Sequence, residues 1–208
     1  RVWFERAVLP ELVEEVAASV TVLGPATDDD PYAGLATAQG ALASILRYDA
    51  TLMAHAPELR VIARTGIGYD LVDVAEATRR GIAVCNTPDA PTISTAEHAL
   101  ALILMVAKGV KRADSDLRER GGDNYARHQA IELDGKILGL VGYGRIARRV
   151  GRACEGLGMR VMAYDPYLPA TAFPSAVVRA ASLEELLAAA DVVSVHVPLS
   201  DHTRGMFG

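Results

Sequence analysis

The sequence predicts an α/β protein whose sheets are parallel. Short apolar runs of strand type alternate with helical patterns along nearly the whole 208-residue chain, which is the arrangement that produces parallel sheets. One apolar run, starting at Lys136, opens into the glycine-rich stretch Gly142–Ala147 and then into a helical pattern. Asp165 follows 23 residues after Gly142, at the end of the apolar run Met159–Tyr164. The alternation predicts the fold class, and the glycines and the acid also indicate a binding site.

The first 91 residues contain five strand patterns and two helical ones. The helices are predicted over Leu9–Ala18, where three apolar residues share one side, and over Val72–Arg80, where Gly81 is a plausible residue to end a helix. Strands are predicted at Val2–Phe4, Thr21–Leu23, Ala41–Leu46, Arg60–Ala63 and Ile82–Cys85.

A break in character falls at Asn86–Pro91, where two prolines and several turn formers occur together. After it, one long helix is predicted from Ile93 to Arg120, with Ser94 or Thr95 as its cap and Gly121-Gly122 closing it. The mixed charges at its far end are typical of a solvated face.

A second unit is predicted to start near Leu133 and to supply about three strands before Gly208. Ser182 and Glu185 have the spacing of a capping box, and the helix that they start leads to a strand at Val192–Val197. A complete dinucleotide-binding sheet has about six strands. We therefore expect these residues to be part of a longer native chain.

Composition excludes several classes of function. The net charge of −5 and an isoelectric point near 5.5 argue against a nucleic-acid partner. Cys85 and Cys154 form no pair with metal or redox spacing, which favours a reducing, cytoplasmic location. The strongest apolar run, Ala99–Ala107, is far shorter than the roughly 20 residues of a membrane span. Charged residues interrupt the apolar segment that a secretory signal at the amino end would need. The histidines do not have the spacing of metal ligands.

The glycine turn and the acid after it have the chemistry of a dinucleotide site. Gly142 permits a tight turn, Gly144 lets a pyrophosphate approach the backbone, and Arg145 and Ile146 offer N–H groups at a helix start. Asp165 is placed to accept the hydroxyls of an adenosine ribose, and a carboxylate there disfavours the 2′-phosphate of NADP. These residues predict binding of NAD.

The remaining motifs closely resemble one family, the D-isomer-specific 2-hydroxyacid dehydrogenases of the phosphoglycerate dehydrogenase type. The resemblance runs from about residue 40 to the end of the chain. It is carried, in order, by Pro57–Ile62, Arg64–Asp70 with Val72-Asp73, Gly81–Pro88, Ala96–His98, Leu133–Lys136, the glycine turn, and His196–Leu199 with Thr203.

The resemblance implies a Rossmann-type nucleotide domain, here incomplete, and a flavodoxin-like α/β substrate domain. Residues 1–91 would be the amino-terminal part of the substrate domain, and residues 92–208 the amino-terminal part of the NAD-binding domain, including the linking helix 93–120. It further implies hydride transfer between NAD and a small D-2-hydroxy or 2-oxo acid, in a homodimer. The catalytic arginine, glutamate and histidine of such enzymes would fall beyond Gly208, so no catalytic residue is assigned.

Site residues follow from the same resemblance. Those implied to bind substrate are Arg47, Ile67 and Gly68, although a surface arginine after a strand and a plain tight turn are the alternatives. Tyr48 is bulkier than the residue usual at its position, which argues against phosphoglycerate as the substrate. His196 is implied to be a cofactor-side residue and not the acid–base histidine. Those implied to bind cofactor are Thr95, Gly142, Tyr143, Gly144, Arg145, Ile146, Asp165, His196, Val197 and Pro198.

Two other hypotheses stay open at this point. The chain could belong to a non-catalytic, NAD-binding relative with a corepressor-like or regulatory role, or it could be an inactive truncated gene product. The sequence does not distinguish among the 2-hydroxy acids that enzymes of this type use.

Overall fold

A computed structural model describes residues 1–25, 27, 29–120 and 128–207, except the side chain of Arg120. The predicted helix end at Gly121-Gly122 lies outside the described residues. The chain divides into two compact units, one comprising Arg1–Pro91 with Leu199–Gly208 and the other Thr92–Pro198.

The first unit is a five-stranded parallel sheet with the order β2-β1-β3-β4-β5. This order is that of a flavodoxin-like fold, in which the direction of strand addition reverses between β1 and β3. The strands are β1 (Val2–Phe4), β2 (Val22–Leu23), β3 (Gly40–Ala43), β4 (Val61–Arg64) and β5 (Ala83–Asn86), and the helices are α1 (Pro10–Ala17), α2 (Ala50–Ala54) and α3 (Val74–Arg79).

The core of the first unit forms around large side chains from the strands and the segments that follow them. Trp3, Tyr48 and Ile62 are fully buried in one cluster. The indole N–H of Trp3 donates to the carbonyl oxygen of Ala33 at 2.8 Å, so its one polar group is satisfied inside the core. Because β1, β3 and β4 are parallel neighbours, their carboxyl ends lie at the same edge of the sheet.

The second unit contains a four-stranded parallel sheet with the order β8-β7-β6-β9, preceded by two helices. This is the order of the first four strands of a Rossmann fold. Its elements are α4 (Thr92–Ala107), α5 (Val110–Arg120), β6 (Ile137–Val141), α6 (Arg145–Glu155), β7 (Arg160–Tyr164), β8 (Val177–Arg179), α7 (Leu183–Ala189) and β9 (Val192–Val195).

The sheet of the second unit is covered closely because glycine occupies a strand position. A side-chain carbon at Gly139 would lie 2.6 Å from Leu186 and 2.8 Å from Ala190, so α7 can approach β6 only with glycine there. Helix α6 also packs on this sheet, since its residues Val150 and Cys154 are buried in one cluster with Leu138 and Leu140 of β6. The sheet and α6 together fix the direction in which the glycine turn leaves β6.

The structure corrects five of the sequence predictions. Residues 1–91 contain three helices and not two, because α2 was missed. The strand predicted at Ala41–Leu46 ends at Ala43, because the N–H groups of the next three residues are taken by a side chain. The single helix predicted from Ile93 to Arg120 is two helices, broken where Gly109 has a φ of +57°. Helix α4 begins at Thr92, so neither Ser94 nor Thr95 is its cap. The second sheet has four strands and not three, because β8 was missed.

Most other elements lie within one or two residues of their predicted bounds. The capping box is present, since the N–H of Glu185 donates to Ser182 Oγ at 3.2 Å. The Glu185 carboxylate in return accepts the N–H of Ala181 at 2.6 Å. Within the described residues no single helix is long and apolar enough to cross a membrane, although the pair Thr92–Ala107 and Val110–Glu119, bent by 57°, meets that test jointly by length and composition.

Candidate functional site

The glycine turn at the end of β6 has the backbone geometry that its sequence predicts. Gly142 has a φ of +85°, in the region that side chains disfavour, and its N–H donates to the carbonyl oxygen of Tyr164 at 2.8 Å. Gly144 precedes α6 with an extended backbone, and no side chain caps the helix. In the described part of the chain the N–H groups of Gly144 and Ile146 donate no hydrogen bond. The start of α6 therefore presents donors to a ligand.

Two more predicted residues pack directly against this turn. A side-chain carbon on Gly142 would lie 2.8 Å from the carbonyl oxygen of His196 and 2.9 Å from a methyl carbon of Val197. The segment after β9 thus closes over the turn, since β6 and β9 are neighbours in the sheet. The structure brings Gly142, His196 and Val197 together at the carboxyl edge of the sheet, where ligands of such sheets bind.

Asp165, the residue after β7, is tied to the same turn. One carboxylate oxygen accepts the N–H of Tyr143 at 3.0 Å, and the other accepts the N–H of Tyr167 at 3.0 Å. A carboxylate has about four acceptor positions, so two remain for other donors. The acid is half-buried at the strand end, where its orientation is fixed by these two bonds.

The ring of Tyr143 is held in a stack that the sequence reading missed. The Tyr143 ring is buried and parallel to the ring of Phe173, with centroids 5.1 Å apart. The guanidinium of Arg148, a residue of α6, lies 4.7 Å from the centroid of the Tyr143 ring. Burial raises the pKa of the Tyr143 hydroxyl above its usual value. Arg179 lies 5.6 Å from the Phe173 ring, which extends the stack to four side chains. Only the aromatic residue between two glycines hinted at this arrangement.

The remaining predicted cofactor residues are placed less tightly. The Arg145 side chain is exposed at the first turn of α6, and Ala147 is fully buried, so its methyl group fills the place of a third glycine within the core. Pro198 is exposed beyond Val197. Thr95 is exposed in the first turns of α4, and no described contact joins it to the glycine turn.

His196 is a half-buried residue with a local partner. Its Nε2 lies 2.9 Å from Ser194 Oγ, and its backbone N–H donates to the carbonyl oxygen of Val141 at 2.7 Å. Burial lowers the pKa of the imidazole below its usual value, because the charged form loses hydration. His196 is therefore neutral near pH 7.

In the first unit, the predicted turn Gly66-Ile67-Gly68 is pinned to the end of β5. The N–H of Thr87 donates to the carbonyl oxygen of Gly66 at 3.1 Å, and Asn86 Nδ2 donates to that of Ile67 at 2.9 Å. Both of these bonds use carbonyl oxygens. The N–H groups of the turn donate to nothing in the described residues, so they are available to an anion.

A buried carboxylate at the end of β1 organises the segment after β3. Glu5 accepts the N–H groups of Ser44, Ile45 and Leu46 at 2.6, 2.5 and 2.8 Å, and the Tyr48 hydroxyl at 3.3 Å. Burial is the largest cause of the strongly raised pKa of Tyr48, followed by the charge of Glu5 and its hydrogen bond. Sequence reasoning missed Glu5. An acid directly after a short buried strand was the available signal.

This arrangement changes the interpretation of two residues. The bulk of Tyr48 argued against phosphoglycerate as the substrate, but its ring is fully buried in the core, so its size says nothing about phosphoglycerate. Arg47 is exposed, and its side chain makes no hydrogen bond or ion pair within the described residues. Its predicted contact with substrate stays a prediction.

No group of three or more potential ligands in the described residues is arranged to hold a metal ion. The polar groups gathered at the two sheet edges are backbone N–H donors, the ordered carboxylates of Asp165 and Glu5, neutral side chains and the guanidinium of Arg64. Such groups bind and orient a ligand.

Comparisons with known proteins agree with this geometry. The family model described as D-isomer specific 2-hydroxyacid dehydrogenase, NAD binding domain, matches residues 100–208. A D-3-phosphoglycerate dehydrogenase of Archaeoglobus fulgidus is 40% identical over 162 residues, which are 78% of this chain and 31% of that protein. A glyoxylate reductase of Korarchaeum cryptofilum is 42% identical over 174 residues, 81% of this chain and 52% of that protein.

A solved structure is similar over nearly the whole chain. The crystal structure of D-lactate dehydrogenase from Aquifex aeolicus, complexed with NAD and lactic acid, matches with a TM-score of 0.83 and 26% sequence identity. The match covers 97% of this chain and 62% of that one. The chain thus spans about a third to somewhat under two thirds of the length of these relatives.

Proposed function

The chain belongs to the D-isomer-specific 2-hydroxyacid dehydrogenase family, and we therefore propose that it functions as an NAD-dependent oxidoreductase. Its substrate would be a D-2-hydroxy acid, oxidised at the CH–OH group, or the matching 2-oxo acid. The observation that carries the proposal is the glycine turn, with Gly142 at a φ of +85° and Asp165 bonded to its middle residue. The relatives reported above are all named as enzymes. The hypothesis of a non-catalytic relative is therefore not carried forward.

NAD fits the residues at the edge of the second sheet. The N–H groups of Gly144 and Ile146 would hold the pyrophosphate at the start of α6, where the helix dipole favours negative charge. The side chain of Val197 and the backbone carbonyl group of His196 would border the adenosine. When bound, NAD supplies the hydride acceptor and, once reduced, the hydride donor.

Asp165 supports a preference for NAD over NADP. Its two remaining acceptor positions suit the 2′- and 3′-hydroxyls of a ribose. A 2′-phosphate would bring at least one negative charge next to this carboxylate. Arg179 lies against Phe173, which leaves it stacked in place and not paired with Asp165.

The first unit supplies the substrate side of the proposal. The unused N–H groups of Ile67 and Gly68 suit the carboxylate of a 2-hydroxy acid, because two adjacent donors match two carboxylate oxygens. Glyoxylate, hydroxypyruvate and the phosphorylated 3-carbon acids remain candidates for the substrate. No acid–base residue is proposed within residues 1–208.

A homodimer is part of the proposal. Apolar side chains on α4 and α5 are exposed, with Val106 at 81% and Leu102 at 48% of full exposure. Exposed apolar surface of this kind is typical of interaction sites. We further place the protein in the cytoplasm, without nucleic-acid or membrane partners, because of its acidic charge and its two free cysteines.

The experiment is a screen of NADH oxidation by the full-length protein. Glyoxylate, hydroxypyruvate, phosphohydroxypyruvate and pyruvate are offered in turn, with NADPH in parallel. We expect turnover with at least one acid, faster with NADH than with NADPH. The reverse reaction is run with the D- and L-isomers of the matching hydroxy acid, and only the D-isomer should reduce NAD. Absence of turnover with every acid would contradict the proposal.

A further inference from the structure

The end of β4 carries a cation whose hydrogen-bonding capacity is mostly unused. Arg64 is the last residue of β4 and lies in register between Ala43 of β3 and Asn86 of β5. Its side chain is half-buried, and its Nε is shielded from solvent without a hydrogen-bond partner. Orphaned groups of this kind are rare in proteins and call for an explanation, such as a ligand that completes the site.

The hydrogen bonds that Arg64 does make are weak. Its Nη1 lies 3.4 Å from the carbonyl oxygen of Ala43 and 3.5 Å from Thr65 Oγ1. The same carbonyl oxygen already accepts the N–H and the hydroxyl of Thr65, at 3.0 and 3.1 Å. A carbonyl has two lone pairs, so Arg64 is a third and distant donor. Its Nη2 has no partner among the described residues.

The charge of Arg64 is not neutralised by a neighbouring acid. Glu5 is a buried carboxylate in the same unit, but its oxygens accept three backbone N–H groups and the Tyr48 hydroxyl. Asp70 lies by Gly68, since a side-chain carbon there would be 3.1 Å from Asp70 Oδ1. No ion pair joins Arg64 to either acid in the described residues.

The guanidinium lies beside the turn that offers free donors. A side-chain carbon on Gly66 would be 3.6 Å from Nη1 and 3.9 Å from Nη2 of Arg64. The turn Gly66-Ile67-Gly68 uses its carbonyl oxygens to bind β5 and leaves its N–H groups unused. A positive charge and a row of free N–H groups are therefore adjacent at one strand end. Together they match an oxyanion, with the guanidinium supplying charge-assisted bonds.

We infer that Arg64 is a substrate-binding residue, which supplies the positive charge that holds the carboxylate of the 2-oxo acid on the N–H groups of Ile67 and Gly68. This inference rests on the proposed function, because it takes the carboxylate to be that of the substrate. It places the cation at Arg64 and not at Arg47, whose side chain is exposed and has no described contact with the turn.

The first test uses steady-state kinetics of the full-length protein. Arg64→Met should raise KM for the 2-oxo acid about 10- to 100-fold, as expected for a lost hydrogen bond to a charged group. Arg64→Lys should give a smaller rise, since the charge stays but the planar fork is lost. NADH affinity should not change. Arg60→Met changes an exposed arginine just before β4; it is the matched control and should leave KM unaltered.

The second test uses the unmodified protein and needs neither turnover nor a folded variant. Oxalate serves as a dicarboxylate probe; its binding to the NAD-loaded protein is measured by calorimetry. Phenylglyoxal then labels accessible arginines, and peptides are quantified by mass spectrometry. Saturating oxalate should protect Arg64 several-fold and leave the labelling of Arg60 unchanged.

The outcomes separate this inference from the proposed function. Normal turnover with an unchanged KM in Arg64→Met would overturn the inference alone, and a lowered melting temperature with unchanged KM would show a structural role only. A wild-type protein that turns over no 2-oxo acid would contradict the proposed function. In that case oxalate binding with protection of Arg64 would still support an anion site there, whereas oxalate that neither binds nor protects would overturn it.

Discussion

The carboxylate of Asp165 accepts the N–H of Tyr143 at 3.0 Å, which fastens the acid after β7 to the middle of the glycine turn after β6. Strands β6 and β7 are neighbours in the sheet, so this hydrogen bond links the segments at their carboxyl ends. The Tyr143 ring is fixed independently by Phe173 and Arg148. The turn is therefore held from both its backbone and its side chain before any ligand arrives, which reduces the entropy that binding has to overcome.

Alanine in place of Gly142 should lower protein stability, whereas alanine in place of Gly144 should weaken NADH binding. Gly142→Ala places a methyl in a left-handed conformation and against the His196 carbonyl, so we expect a loss of at least about 2 kcal/mol of stability. Gly144→Ala should leave stability unchanged, since a side-chain carbon there meets nothing within 4 Å. It should still weaken NADH binding by narrowing the approach to α6.

Denaturant unfolding and NADH fluorescence titration measure both effects. Gly205→Ala, also at positive φ but with open space around it, controls for backbone strain without a steric clash. Equal stability of the Gly142 and Gly144 variants would contradict the prediction.

Asp165→Ala should weaken NADH binding by about tenfold or more, because two charged acceptors for the ribose hydroxyls are lost. Binding of NADPH should change less, so the preference for NADH should shrink. Fluorescence titration with both cofactors measures the ratio. Asp201→Ala, an exposed acid elsewhere, is the control. An unaltered preference would refute the role given to Asp165.

The stability of the protein should fall in mildly acidic solution partly through His196. Burial lowers its pKa in the folded state below the usual 6.5, so the unfolded chain binds the proton more readily. The stabilising contribution is complete above pH 6.5 and is lost as the pH falls through the folded pKa. Unfolding free energies of wild type and His196→Asn should therefore converge as the pH is lowered below about 6.5. His202→Asn, an exposed histidine, should run parallel to wild type.

Val106→Asp should dissociate the proposed homodimer. Val106 is 81% exposed on α4 and lies among other exposed apolar residues of α4 and α5. A carboxylate buried at the centre of an interface should weaken association about 30-fold or more. Sedimentation velocity across a concentration series checks this. Val74→Asp, at the first turn of α3, is a matched control that should not alter the mass. A wild-type protein that stays monomeric would contradict the proposal directly.

Removal of the Glu5 carboxylate should destabilise the first unit by about 2–4 kcal/mol, since three N–H groups lose their acceptor. Tyr48→Phe removes one bond of 3.3 Å and should cost about 1 kcal/mol. Chemical denaturation of Glu5→Ala and Tyr48→Phe tests this order, with Glu11→Ala on the exposed face of α1 as the control. If Tyr48→Phe proves the more damaging variant, Glu5 does not organise this segment.

The features that sequence reasoning predicted well are local ones. The strand, glycine turn and helix from Lys136 onward follow from adjacent residues, and the confirmed family follows from an ordered series of such motifs. What it missed depends on residues distant in sequence. The end of β3 is set by Glu5, 39 to 41 residues away, and the partners of Tyr143 come from α6 and from Phe173. The assignment of Arg47 to substrate rests on the family resemblance and stays a prediction, because no described contact joins its exposed side chain to the turn Gly66–Gly68.

The Glu5 contact also bears on where a foreign anion can bind in the first unit. In sheets of this strand order, ligands lie where strand addition reverses, between β1 and β3. Here that position holds the protein's own side chain, seated on a row of three amides. A side chain of the protein itself therefore occupies the position where ligands bind in other sheets of this strand order. A diffusing acid competes poorly with an anion that is always present, which favours the neighbouring strand end, the site proposed after β4.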